Sequence, residues 1–221
     1  MTRARDIANL GTQAGSGLDA SDITTGALGA GVTFPTGHII KNHSKTFLGV
    51  QTLAAHGSNS NTVDYSDTLD RWVLVGTGAS GASGDPLLIT TGTPSSSSSK
   101  YLLRANVTHS KQSNSSIMMK WWYRVAGTGD YVPLVHGQDD AVSANWIRHA
   151  FGSDHHSSGS NHGVRQGNME YLWSPGTTNS YDIQVMGFAY TQQMYINRPT
   201  NSDNNNYMGN AISTFTVQEV A

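Results

Sequence analysis

The 221-residue sequence predicts an all-β fold: an antiparallel β-sandwich or jelly-roll-like knob behind an extended N-terminal arm. Three observations predict it. From His38 onward, short runs rich in β-branched and aromatic residues alternate with Gly, Ser, Asn and Asp turns. No stretch after residue 38 sustains a 3.6-residue apolar period, which argues against an α/β design. Charged residues are only 13% of the chain and hydrophobic ones 37%, so the balance is small and polar. Disordered chains combine low hydrophobicity with high charge, whereas this composition suits strands joined by many polar turns.

Residues 1–37 read differently from the rest. Ile7, Leu10, Leu18, Ile23, Leu28, Val32 and Phe34 are spaced irregularly among Gly, Ala, Ser and Thr. Such a segment cannot bury itself, so it is expected to be an extended arm that orders against a partner. A short helix over 3–9 fits Thr2 as cap and Gly11 as stop. The candidate attachment residues are Arg3, Arg5, Ile7, Leu10, Leu18, Ile23 and Leu28. Phe34-Pro35-Thr36-Gly37 supplies turn chemistry and marks the boundary to a knob of residues 38–221.

Within the knob the expected strands open with His38 to His43, Phe47 to Leu53, Arg71 to Val75 and Leu87 to Thr91. The middle of the chain offers Tyr101 to His109, Ile117 to Val125 and Asn145 to Phe151. Met169 to Trp173, Tyr181 to Tyr190, Gln193 to Ile196 and Ile212 to Val220 complete the set. Alternation in Tyr101-Leu-Leu-Arg-Ala-Asn-Val-Thr and Tyr181-Asp-Ile-Gln-Val-Met turns Leu103, Ala105, Val107, Ile183 and Val185 inward. In the last strand Ser213, Phe215, Val217 and Glu219 share one face, and Ile212, Thr214, Thr216, Gln218 and Val220 the other. Trp121 and Tyr123 share a face that Trp122 does not. The run Ser95 to Ser99 reads as a solvated hairpin loop.

Composition also bounds function. The net charge of −2 offers no field for nucleic acid or an anionic membrane. The absence of cysteine excludes disulfides, thiolate catalysis and zinc–thiolate sites. Arg3 and Arg5 are not followed by the apolar block of about 7 residues that a secretory signal needs. No apolar run approaches the roughly 20 residues of a membrane helix. The expectation is synthesis in a cytoplasm, with no membrane insertion.

Chemical motifs are sparse. Gly76-Thr-Gly78-Ala-Ser-Gly81 follows a strand, as a dinucleotide fingerprint does, but leads into a turn and another strand instead of a helix. A loop is the better reading. His155, His156 and His162 sit in one Gly/Ser-rich segment beside Asp154, where a solvated loop competes with a metal or glycan contact. Trp122 and Tyr207 are further candidates for stacking on sugar, against a core or interface role. Tyr195, Trp146 and Trp173 face the same choice. No Gly-x-Ser-x-Gly elbow occurs, and Asp130, Asp139, Asp140, Asp154 and Glu170 show no spacing that singles out a catalytic pair. No catalytic residue, metal or cofactor is assigned, and the chain is expected not to be an enzyme.

Three phrases carry a family resemblance. The ending Ile196-Asn-Arg-Pro-Thr-Asn-Ser-Asp-Asn through Tyr207 to Ile212-Ser-Thr-Phe-Thr-Val-Gln-Glu-Val-Ala221 resembles the close of tail-fibre and other virion structural proteins of marine tailed bacteriophages of the cyanophage and pelagiphage kind. Gly17 to Ile40 resembles their lead-in to the globular domain, and Lys100 to Ser110 with Met118 to Arg124 their central strand pair. Pro199, Met208 and Asn210 depart from the pattern. The resemblance implies a homotrimeric β-sandwich on the virion, its arm docked into a tail or head component. A short tail fibre touching host surface polysaccharide is the first reading. A head decoration or head-fibre protein is the second, and a glycan-degrading tail enzyme the third.

Overall fold

The computed structural model describes residues 37–55, 72–77, 85–111, 115–134, 164–190, 192–199 and 211–221, with backbone alone at 115–116 and 151–156. The chain divides after Pro35, and the attachment residues Arg3, Arg5, Ile7, Leu10, Leu18, Ile23 and Leu28 lie outside the described residues.

The described residues form twelve strands and no helix. They are β1 (Ile39–Phe47), β2 (Gln51–Leu53), β3 (Val73–Leu74), β4 (Leu88–Thr90), β5 (Lys100–Lys111) and β6 (Ser115–Val125). The second half holds β7 (Val132–Pro133), β8 (Phe151–His156), β9 (Arg165–Trp173), β10 (Tyr181–Ala189), β11 (Met194–Ile196) and β12 (Ser213–Val220). Sheet 1 has the order β1-β12-β5-β11-β2, with β9 also on β5; sheet 2 has β3-β10-β6-β7, with β4 also on β10 and β8 on β6. All pairings are antiparallel.

Several of these strands are halves of one. β11 lies opposite Lys111 to His109 and β12 opposite Asn106 to Lys100, so both occupy the same flank of β5. In the same way β1 and β2 flank β12 and β11, β3 and β4 flank β10, and β7 and β8 flank β6. Merging the halves leaves eight strand positions, ordered 1-8-3-6 in one sheet and 2-7-4-5 in the other. Positions 1 and 8, 2 and 7, 3 and 6, and 4 and 5 all pair, as they would in one long hairpin rolled upon itself. That is the jelly-roll form of a β-sandwich.

The inner faces meet in one core. Leu103, Ala105, Val107, Ile183 and Val185 are buried there, as their alternation predicts, with Trp121, Phe215 and Val217. On β12 the inward face is Ser213, Phe215, Val217 and Glu219. One end is closed by aromatic rings: Trp173 lies 4.8 Å from both Tyr123 and Tyr181, and 6.0 Å from Tyr101, between ring centroids. The chain enters at this proximal end, where the Gly37 N–H donates to Ala221 O and the Ala221 N–H to His38 O. The strand ends that flank the connections β2–β3, β5–β6, β8–β9 and β10–β11 lie at the opposite, distal end.

Three expectations need correction. Ser95 to Ser99 is no hairpin: it crosses from β4 in sheet 2 to β5 in sheet 1. Ser99 is buried, its Oγ accepts from the Ser96 N–H, and the Ser95 N–H donates to Glu219. Of the strand expected at Asn145 to Phe151, residues 145–150 lie outside the described residues; the described strand runs Phe151–His156, so His155 and His156 belong to a strand backbone paired with Ser116 and Ser115 and not to a loop. The run Phe47 to Leu53 is broken: Phe47 ends β1, and a kink at 48–50 moves the chain from β12 to β11. β7 was not anticipated because it has two residues, one of them proline.

Candidate functional site

The strand positions split in sequence because loops leave from their middles, and buried amides hold two of the loop roots. At the first, Val75 and Leu87 close the neck through the Leu87 N–H to Val75 O, 2.9 Å, and the loop 76–86 leaves between them. Gln51, 4% exposed, reaches across from β2. Its Nε2 donates to Leu74 O and Thr77 O at 3.1 and 2.7 Å, and its Oε1 accepts the Gly76 N–H at 2.8 Å. Gly76 sits at φ +101°, and a Cβ there would meet Pro86 Cα at 2.7 Å. The first glycine of the apparent fingerprint is therefore a turn that packs on backbone. Gly76→Ala is expected to cost about 2–4 kcal/mol, since left-handed strain adds to a clash that only backbone movement relieves. Urea denaturation measures it.

The second root is at Asn197, between β11 and β12. It is fully buried at φ 60°, and its N–H donates to Thr108 O while its carbonyl accepts the Ala211 N–H. Its Nδ2 donates to Phe47 O at 2.8 Å and Gly49 O at 2.9 Å, and its Oδ1 accepts the Ser213 hydroxyl at 2.6 Å. The Thr108 N–H donates to that hydroxyl in turn, at 3.0 Å. One residue thus joins the β1–β2 kink and the β11–β12 junction through its side chain and β5 through its backbone N–H. Beside this root the exposed Leu48 follows Phe47 and the exposed Ile212 precedes Ser213, the last pair of the β1–β12 register. Arg198 lays its guanidinium 4.6 Å above the Tyr195 ring and donates to Thr52 Oγ1.

Two carboxylates organise the proximal end. Glu219, 1% exposed, takes the Ser95 N–H on Oε1 and faces the Lys41 ammonium at 3.0 Å on Oε2. Asp182 accepts from Thr90 Oγ1 (2.7 Å), Arg124 Nε (2.9 Å) and the Gly127 N–H (3.2 Å), and Arg124 also lies 4.5 Å over the Tyr131 ring. Burial alone would raise both carboxyls. The hydrogen bonds from Ser95 and Lys41 to Glu219, and from Thr90, Gly127 and Arg124 to Asp182, outweigh it and hold both below the ordinary carboxylate range. A carboxylate depressed in the fold contributes stability that is fully present above its unfolded pKa and lost as pH falls through the folded one. Urea stability should therefore decline from about pH 5 downward. Glu219→Gln should flatten part of that decline; an unchanged pH slope would contradict the role given to Glu219.

Glu170 and Asp85 are also ion-paired, with Arg104 and Lys45. Each of these four carboxylates thus meets its own cation. Asp130 is exposed beyond β6, Asp154 stands opposite Ile117 on β8, and Asp139 and Asp140 lie outside the described residues. Among the described residues no group of three His, Asp or Glu is placed to hold a metal.

His155 and His156 occupy the distal end of β8, while His162, Tyr207 and Trp146 lie outside the described residues. Trp122 is corrected: at 1% exposure, packed with Trp72, Met186 and Phe188 on the outer side of sheet 2, it presents no ring face to a sugar. Tyr195 and Trp173 are buried too. The loop-root amides Gln51 and Asn197 were not anticipated. A signal existed for Asn197, an asparagine between a short strand run and Arg-Pro, because asparagine tolerates left-handed backbone.

No protein-family model matches the sequence, and no curated protein matches it. Among solved structures, Eiger TNF from S. frugiperda superposes with a TM-score of 0.36 and 10% identity over 81% of this chain and 93% of that one. At that score the likeness carries no inference about this chain.

Proposed function

We propose that the chain is a virion structural protein of a tailed bacteriophage: a short tail fibre whose residues 1–37 dock on the tail and whose homotrimeric knob, 38–221, contacts host surface glycans. The observation that supports this best is the polarity of the sandwich. The chain enters beside Ala221 at the proximal end, and the strand ends flanking four interstrand connections, with His155 and His156 at the end of β8, lie at the other. A domain held at one end presents the opposite end outward, where weak contacts from several copies would multiply.

Self-association by strand addition at β1 is disfavoured. Lys41 and Lys45 lie opposite the inward-facing Glu219 and Phe215, so two lysine side chains point into the edge, a device that discourages a further strand. A trimer would then bury faces or loops. The purified protein is expected to scatter light as a particle three times the 23.6 kDa chain mass, and a monomer at micromolar concentration would overturn the trimer. Deleting residues 1–30 should abolish incorporation into virions while leaving the knob folded; retained incorporation would refute the anchor. Labelling on intact particles separates a tail position from a capsid one.

A further inference from the structure

We infer that the knob is built to transmit tension along β1, from the arm to the distal end, by loading the β1–β12 pairing in shear. The inference rests on the fibre reading, in which the arm is held and the far end grips.

β1 leaves the proximal end and runs toward the distal end, antiparallel to β12 from Ile39 opposite Val220 to Phe47 opposite Ser213. Interstrand hydrogen bonds of an antiparallel pair lie perpendicular to the strands. A pull on residue 38 against a distal hold therefore acts across all of them at once. Bonds loaded side by side must yield together, whereas bonds loaded in series yield one after another.

The fastenings of β1 follow the same line. At its start the Gly37 N–H and His38 O both bond Ala221, at 3.0 Å each. Along its length Lys41 meets Glu219 of β12 at 3.0 Å and donates to Thr93 O at 2.5 Å, and Lys45 meets Asp85 at 2.8 Å, so two segments besides β12 hold it sideways. At its far end Asn197 grips Phe47 O and Gly49 O, which blocks β1 from sliding past the β11–β12 junction. Tension between Gly37 and Ala221 would act differently: the two are hydrogen-bonded neighbours, and pulling them apart peels β1 from β12 starting at the Ile39–Val220 pair.

The test is single-molecule pulling in both geometries. The chain has no cysteine, so Val164→Cys, at an exposed position just before β9 at the distal end, provides a unique attachment point. Gln193→Cys, exposed in the β10–β11 connection, serves as a second. With the other handle ahead of Met1, both variants should unfold at about twice the force needed when the handles precede Met1 and follow Ala221, because forced unfolding reads the barrier along the pulled direction. Equal forces, or a lower force in the distal geometry, would overturn the inference. Loss of virion incorporation on deleting residues 1–30 concerns only the fibre reading, so the two fail separately.

Discussion

Asn197→Ala is expected to destabilise the knob by about 3–5 kcal/mol, read as a lower urea midpoint with an unchanged slope. The substitution removes three side-chain hydrogen bonds and leaves Phe47 O, Gly49 O and the Ser213 hydroxyl short of a partner in a fully buried place. Each unsatisfied buried group costs about 1–3 kcal/mol, although Ser213 can keep the bond it accepts from Thr108. Alanine must also adopt φ 60°, at a cost of about 1–2 kcal/mol. A companion substitution separates the two causes. Asn197→Gly relieves the backbone term alone and should recover about 1 kcal/mol relative to alanine. If alanine and glycine were equally stable, the backbone conformation would be irrelevant. If both matched the parent, the amide would not be holding the sheet.

The effect should also be local in a way hydrogen exchange can see. Asn197 joins the β1–β2 kink to the β11–β12 junction, so its loss should speed exchange at Phe47, Gly49 and Ala211 before the core strands open. Slow exchange at β5 and β10, in the middle of each sheet, should persist.

The reach of the sequence follows from what alternation can encode. Leu103, Ala105, Val107, Ile183 and Val185 were legible as core because a strand facing one interior repeats every second residue. β10 shows where that logic stops. Its pattern reads as half-buried, yet all nine residues from Tyr181 to Ala189 are buried, because Asp182, Gln184, Met186 and Phe188 on the outer side are covered as well. Whether a second face is covered depends on segments distant in sequence, which local periodicity does not record. The split strands were illegible for a related reason. β11 and β12 are separate runs in the sequence, and only their shared partner β5 makes them one strand position. The candidate contacts suffered likewise: an exposed aromatic and one in an outer cluster have the same local pattern.

Trp122 makes that last point testable. Trp122→Ala is expected to cost about 3–5 kcal/mol, the usual range when a buried tryptophan is truncated and its cavity cannot fully collapse. The ring lies 5.9 Å from Trp72, which in turn lies 5.5 Å from Phe188, so one truncation loosens a cluster that includes Met186. Trp122→Phe should be much milder, about 1 kcal/mol or less, because phenylalanine keeps most of the buried area and removes an indole N–H that has no acceptor among the described residues. A sugar platform would behave in the opposite way: alanine would leave the urea midpoint unchanged and abolish binding to host polysaccharide. Measuring both quantities on both variants separates the alternatives. An alanine variant as stable as the parent would show that the outer cluster contributes little and would return Trp122 to the list of contact residues. The outer side of sheet 2 would then be the face to probe for a ligand, ahead of the distal histidines.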